Sequence, residues 1–207
     1  MSDLEVVPIP NGQFAENCYL LATDGRAVII DPGEEWERFL AEMDARGVRL
    51  EAIWLTHAHL DHILGVAEVQ KATGAPIWLH PADRSLYDDL PTQSMWLGFR
   101  SPPAPPPQHE LAHGQVLSIG DYRFDVRHAP GHSPGSVCFV GSEVVFSGDA
   151  LFNGSIGRSD LPGGDHATLI ASIRRELLSL PDATRVLSGH GPATTIGAER
   201  RSNPFLR

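Results

Sequence analysis

The apolar run Ala52-Ile53-Trp54-Leu55 is followed at once by Thr56-His57-Ala58-His59-Leu60-Asp61-His62, which holds three imidazoles and one carboxylate. The run reads as a buried strand, so four strong metal donors leave a strand end together on a short loop. Histidine nitrogen and carboxylate oxygen are the donors that borderline cations such as zinc favour. In an extended or looping segment His57 and His59 point to one side, and Asp61 and His62 point elsewhere. That division suits two ions better than one.

Further donors sit at other predicted strand ends. His132 lies in the Gly/Pro-rich turn His128-Ala129-Pro130-Gly131-His132-Ser133-Pro134-Gly135. Asp149 closes Val144-Val145-Phe146-Ser147-Gly148-Asp149, and His190 follows Val186-Leu187-Ser188-Gly189. Any one of these alone reads as a turn residue, because histidine and aspartate are common beside glycine. Together, four strand-to-loop junctions that each deliver a donor describe a site built along one edge of a sheet.

The order HxHxDH, then His, then Asp, then His resembles the metallo-β-lactamase-fold hydrolases, over nearly the whole chain from Asn17-Cys18-Tyr19 and Asp31-Pro32-Gly33 onward. Within that superfamily the chain is most similar to the glyoxalase II-like branch, the hydroxyacylglutathione hydrolases. The segments that carry this are Ser147-Gly148-Asp149-Ala150-Leu151-Phe152 and Gly157-Arg158-Ser159-Asp160. The tail Gly189-His190-Gly191-Pro192-Ala193-Thr194-Thr195, with Glu199-Arg200 and Asn203-Pro204-Phe205, is similar to a compact bacterial subgroup.

The resemblance implies an α/β protein, an αββα sandwich of two mixed β-sheets flanked by helices, with two divalent metal ions, zinc first and iron or manganese as alternatives. Carried over residue by residue, His57, His59 and His132 would hold one metal, and Asp61, His62 and His190 the other. Asp149 would bridge them alongside a water or hydroxide that Asp61 orients. Asp31 would support the ligand loops from behind; turn chemistry alone reads Ile30-Asp31-Pro32-Gly33 equally well as a simple turn. Two features depart from typical glyoxalase II. Ala58 stands where a further, non-ligating histidine is usual. The chain also ends soon after His190, without the helical domain that supplies much of the glutathione site, so a reduced grip on glutathione is expected.

Length suits a single domain over 1–207, and hydrophobic and charged fractions of 42% and 20% are ordinary for a soluble globular protein. The start Met1-Ser2-Asp3-Leu4-Glu5 has neither a basic nor an apolar leader region, and Cys18 and Cys138 read as buried thiols of a reducing compartment, so the cytoplasm is expected. A net charge of −10 argues against nucleic acid as partner, and no basic run suggests a membrane surface. Two bound cations would leave the pocket locally electropositive, so a small anionic substrate is compatible with the overall charge.

The patterning predicts strands at 5–9, 17–22 and 26–30, helices at 34–46 and 62–73, and a strand at 75–79. Hairpins follow at 116–127 and 136–146, then a helix at 166–179 with Leu169, Ile170, Ile173 and Leu177 on its apolar side. Between the halves, Pro91 to His109 is proline-dense and reads as a stiff surface connection. It could instead wall the metal site through Trp96 and Phe99, and an SH3-type ligand is a third reading. Arg158 is expected to pair with Asp160, with contact to an anionic substrate as the alternative, and Ser133 and Ser147 to be turn residues. His80, His109, His113, His128 and His166 lack a ligand context.

A metal lowers the pKa of bound water towards neutrality, so no protein base is needed, and an ordinary thiol leaves with little protonation at a pKa of roughly 8.5. The function expected is a thioesterase acting on S-lactoylglutathione or a similar small thioester. The alternatives are a mononuclear iron persulfide dioxygenase of the same fold and a metal-binding domain without activity. A β-lactamase is disfavoured, because Asp149 supplies a bridging carboxylate that those enzymes lack.

Overall fold

The computed structural model describes residues 3–98 and 100–207. Its first sheet runs β1 (Glu5–Asn11), β2 (Glu16–Thr23), β3 (Arg26–Ile30), β4 (Arg49–Trp54), β5 (Ile77–Leu79) and β6 (His109–Glu110), in that order. The second contains β7 (Val116–Ile119), β8 (Tyr122–His128), β9 (Val137–Val140) and β10 (Val144–Gly148). A small hairpin of β11 (Leu151–Phe152) and β12 (Ser155–Ile156) interrupts it, and β13 (Arg185–Ser188) and β14 (Thr194–Thr195) complete it in the order β14-β13-β10-β9-β8-β7.

Strand periodicity sorts the side chains into layers. Along β2, Tyr19 and Leu21 face the space between the sheets, while Cys18 and Leu20 face the helices; β9 does the same with Val137 and Phe139 against Cys138 and Val140. The inter-sheet layer centres on Trp54, whose ring meets Phe124 and Phe139 at centroid distances of 5.6 and 5.4 Å. Helices α1 (Trp36–Arg46) and α3 (Val66–Thr73) cover the first sheet through Phe39, Met43, Val66 and Val69. Helices α6 (His166–Ser172) and α7 (Ile196–Ser202) cover the second through Leu169 and Ile196. The result is the expected αββα sandwich of two mixed sheets. Both cysteines are buried and unpaired. No helix among the described residues is long and apolar enough to cross a membrane.

Parallel pairing positions the site. β3 runs parallel to β4, and β10 to β13, so the carboxyl ends of all four strands point to one edge of the sandwich. Asp31, the His57–His62 segment, Asp149 and His190 all follow those ends.

Three local expectations change. The helix expected over 62–73 is two helices, α2 (Leu60–Ile63) and α3, separated at Leu64-Gly65. There the Gly65 N–H donates to Pro32 O at 2.9 Å, and a Cβ on Gly65 would overlap Gly33 O, so the first strand-end loop cuts into the helix. The proline-dense segment is partly helical: α4 (Arg84–Asp88) precedes α5 (Leu90–Trp96), with Pro91 in the first turn, where no N–H is needed. From Arg100 to Gln108 the chain runs without regular structure, tethered by the Tyr87 hydroxyl donating to Pro105 O at 2.8 Å. The helix expected over 166–179 is α-helical to Ser172 and continues as a wider turn over Ile173–Leu177, with Leu169, Ile173 and Leu177 in the core. Phe99 lies outside the described residues.

Candidate metal centre

All seven donors singled out in the sequence converge at this edge. His57, His59 and His132 form one group whose donor atoms lie within 4.8 Å of one another, and Asp61, His62 and His190 form a second. Asp149 stands between them. Its Oδ1 is 3.4 Å from His62 Nε2, and its Oδ2 is 3.5 Å from His132 Nε2 and 3.6 Å from His190 Nε2. Asp61 Oδ2 lies 3.2 Å from His190 Nε2. His80, His109, His113, His128 and His166 join none of these groups among the described residues.

The hydrogen-bond partners behind the imidazoles fix which nitrogen each offers. His132 Nδ1 faces Arg158 O at 2.8 Å and His190 Nδ1 faces Phe14 O at 3.2 Å, so each carries its proton there and presents a lone pair at Nε2. The Thr56 hydroxyl donates to Asp31 Oδ2 at 2.6 Å and therefore accepts from His57 Nδ1 at 3.0 Å. His57 Nε2 is then also a lone pair, and it points at His132 Nε2 from 3.1 Å. Two lone pairs held that close, buried, call for a cation between them. Nearby, His62 Nε2 and Asp149 Oδ1 are buried with no hydrogen-bond partner. A buried orphan pair of this kind is costly unless an ion satisfies it. The donor set therefore fits divalent cations.

Electrostatics agree. Burial and neighbouring imidazoles push His57 well below the usual histidine range and His59 down to about 3, so both are neutral donors. At His62 burial is outweighed by the Asp149 and Asp61 carboxylates, which push its pKa up: the site favours positive charge at that point. Burial alone would raise the Asp149 carboxyl, but His62 and His132 hold it far below the usual carboxylate range.

Local backbone geometry brings the groups together. Asp31 adopts a left-handed conformation (φ 52°) at the end of β3 and accepts from Thr56 N at 2.7 Å, the Thr56 hydroxyl, and His62 Nδ1 at 3.0 Å. The support role that the family resemblance implied is thus what its contacts describe. At Gly189 a Cβ would overlap Asp149 Oδ1 and the His62 ring, so only glycine allows β13 to pass the cluster. Strand β2 anchors the same loop: Asn17 Nδ2 donates to Ser188 O and Gly191 O at 3.0 and 2.9 Å, and the Tyr19 hydroxyl to Ser188 O at 2.7 Å.

Sequence reasoning missed Asp83. Buried in the turn Pro81–Asp83, it accepts from Ala58 N at 3.0 Å, the Ser133 hydroxyl at 2.7 Å and Gly135 N at 2.5 Å. It joins the His57/His59 loop to the His132 loop, and nothing in Pro81-Ala82-Asp83 marks that role. Glu16, buried behind His62 with Oε1 3.7 Å from its Nδ1, was missed as well. Arg158 binds Asp160 with two contacts of 2.8 and 2.9 Å, as expected; Ser147, expected in a turn, instead lies within β10 and donates to Leu151 O.

The Metallo-beta-lactamase superfamily model matches residues 11–190. The chain belongs to this superfamily. Among superfamily relatives, hydroxyacylglutathione hydrolase GloC of Haemophilus influenzae is 40% identical over 209 residues, covering 99% of this chain and 98% of that protein. A solved superfamily structure titled BLEG-1 B3 metallo-beta-lactamase superposes with a TM-score of 0.92 at 44% identity, covering 98% and 99% of the two chains. TTHA1623, solved in a di-iron-bound form, superposes with a TM-score of 0.90 at 47% identity, covering 97% and 100%.

Proposed function

We propose that this chain is a metal-dependent hydrolase of small thioesters. The observation that carries the reading is the Asp149 carboxylate, set between two three-donor groups at the floor of a cavity of about 580 Å³ that also exposes His59, Asp61 and His190. Divalent ions there would supply a Lewis acid for the substrate carbonyl and an acidified water near neutral pH. Zinc fits the nitrogen-rich donor set, and the di-iron neighbour makes iron the first alternative.

The chain's own groups do the positioning. Asp61 faces the cavity and can accept a hydrogen bond from the attacking water, aiming it at the acyl carbon. The backbone carbonyls of Arg158 and Phe14 hold His132 and His190 in the tautomer that points Nε2 inward. No protein acid is required for departure of a thiol. The GloC relative supports an acyl thioester as the substrate class, with S-lactoylglutathione as the first compound to assay. A cytoplasmic setting belongs to this reading, since Cys18 and Cys138 lie unpaired in separate core layers.

The test is thiol release from S-lactoylglutathione by zinc-loaded and iron-loaded protein, which should depend on metal. β-Lactam hydrolysis is the second reading: although an aspartate at position 149 argues against it, a 44% identical solved structure is that of a B3 metallo-beta-lactamase. A β-lactam assay on the same preparations decides it. Oxygen uptake with glutathione persulfide, without thiol release, would favour the dioxygenase alternative instead.

A further inference from the structure

The cavity above the donor cluster is walled mainly by apolar side chains. At the end of α5, Trp96 and Leu97 are 65% and 46% exposed, and Phe152 and Leu161 line the same cavity. Large apolar side chains left in water at the mouth of a catalytic cavity gain free energy when a ligand covers them. A rigid indole does so at little entropic cost.

The charges of the wall point the same way. Arg158 is the one arginine or lysine lining the cavity among the described residues, and its Nε and Nη2 donate to Asp160. Asp89 adds a carboxylate to the rim. Glutathione brings two carboxylates and an ammonium group. On the wall away from the donor cluster, its carboxylates would meet a single guanidinium already engaged by Asp160, beside the Asp89 carboxylate.

Resting on the thioesterase reading, we infer that the preferred substrate is a thioester with an uncharged apolar arm, seated against Trp96, Leu97 and Phe152, rather than a glutathione thioester. The chemistry is ordinary hydrolysis. The oxygen of water bonds to the acyl carbon, the C–S bond breaks, and the thiol leaves with the sulfur electron pair and one proton.

The experiment compares the lactoyl thioester of benzyl mercaptan with S-lactoylglutathione on metal-loaded protein. The expected kcat/KM ratio is at least ~10 in favour of the apolar thioester, equivalent to the burial of part of one aromatic ring. In Trp96→Ala, checked for unchanged metal content, that ratio should shrink to about 3 or less. Parity, an advantage for the glutathione ester, or an unchanged ratio in Trp96→Ala would overturn the proposal. The corresponding ketones, with a methylene in place of sulfur, cannot be cleaved and give Kd values for the same two arms. If neither thioester is cleaved, the thioesterase reading fails. The ranking of the two Kd values then decides the apolar preference by itself, tighter binding of the benzyl ketone supporting it and the reverse refuting it.

Discussion

The Ser133 hydroxyl donates a 2.7 Å hydrogen bond to Asp83 Oδ2, the oxygen that also accepts from the backbone N–H of Ala58. One buried carboxylate thereby joins the loops that carry His57, His59 and His132, and it touches neither Asp61 nor His190. Asp31 holds His62 directly and, through the Thr56 hydroxyl, also reaches His57.

Asp83→Asn keeps the volume but turns one acceptor oxygen into a donor that faces other donors. The affinity for one ion should fall by about 10–100-fold while the other is held nearly as before, because the two loops Asp83 ties together carry His57, His59 and His132. Chelator competition followed ion by ion reads this directly. A lower melting temperature with both affinities unchanged would reduce Asp83 to a packing role.

The bridge itself is tested by Asp149→Asn. A neutral amide offers one oxygen where two cations need a shared charge. Metal content should drop and turnover should fall by several orders of magnitude, with the circular dichroism of the fold retained. Near-normal activity at full metal content would make Asp149 a turn residue.

Much of this centre was legible in the chain because its donors are crowded into short segments at strand ends. The HxHxDH run, His132 beside Gly131, Asp149 after Gly148 and His190 after Gly189 each signal themselves locally. The supports do not. Asp83 acts across 25 residues to Ala58 and 50 to Ser133, and Asn17 across 171 to Ser188, while His132 and His190 are oriented by backbone carbonyls that any residue could supply. The break at Gly65 escaped the helical pattern for the same reason, since it is imposed by Pro32 and Gly33 on a distant loop. In the proline-dense segment, composition hid α5 because Pro91 sits in the first turn, the one helical place it tolerates.

Gly189→Ala tests the close passage of β13. The added methyl would press on Asp149 Oδ1 and the His62 ring. Since neither can move without losing its contacts, the variant should bind metal weakly and lose at least about 2 kcal/mol of stability, in the range expected for overpacking. Full metal content and an unchanged unfolding midpoint would show that the loop yields.

The central claim is a site for two ions, and metal content per chain after loading with excess zinc and removal of loosely held ions measures it most directly. The wild-type chain should retain two zinc ions. A variant with Asp61 and His190 both replaced by alanine, which keeps His57, His59 and His132, should retain one. A single ion per wild-type chain at saturating zinc would contradict the dinuclear centre.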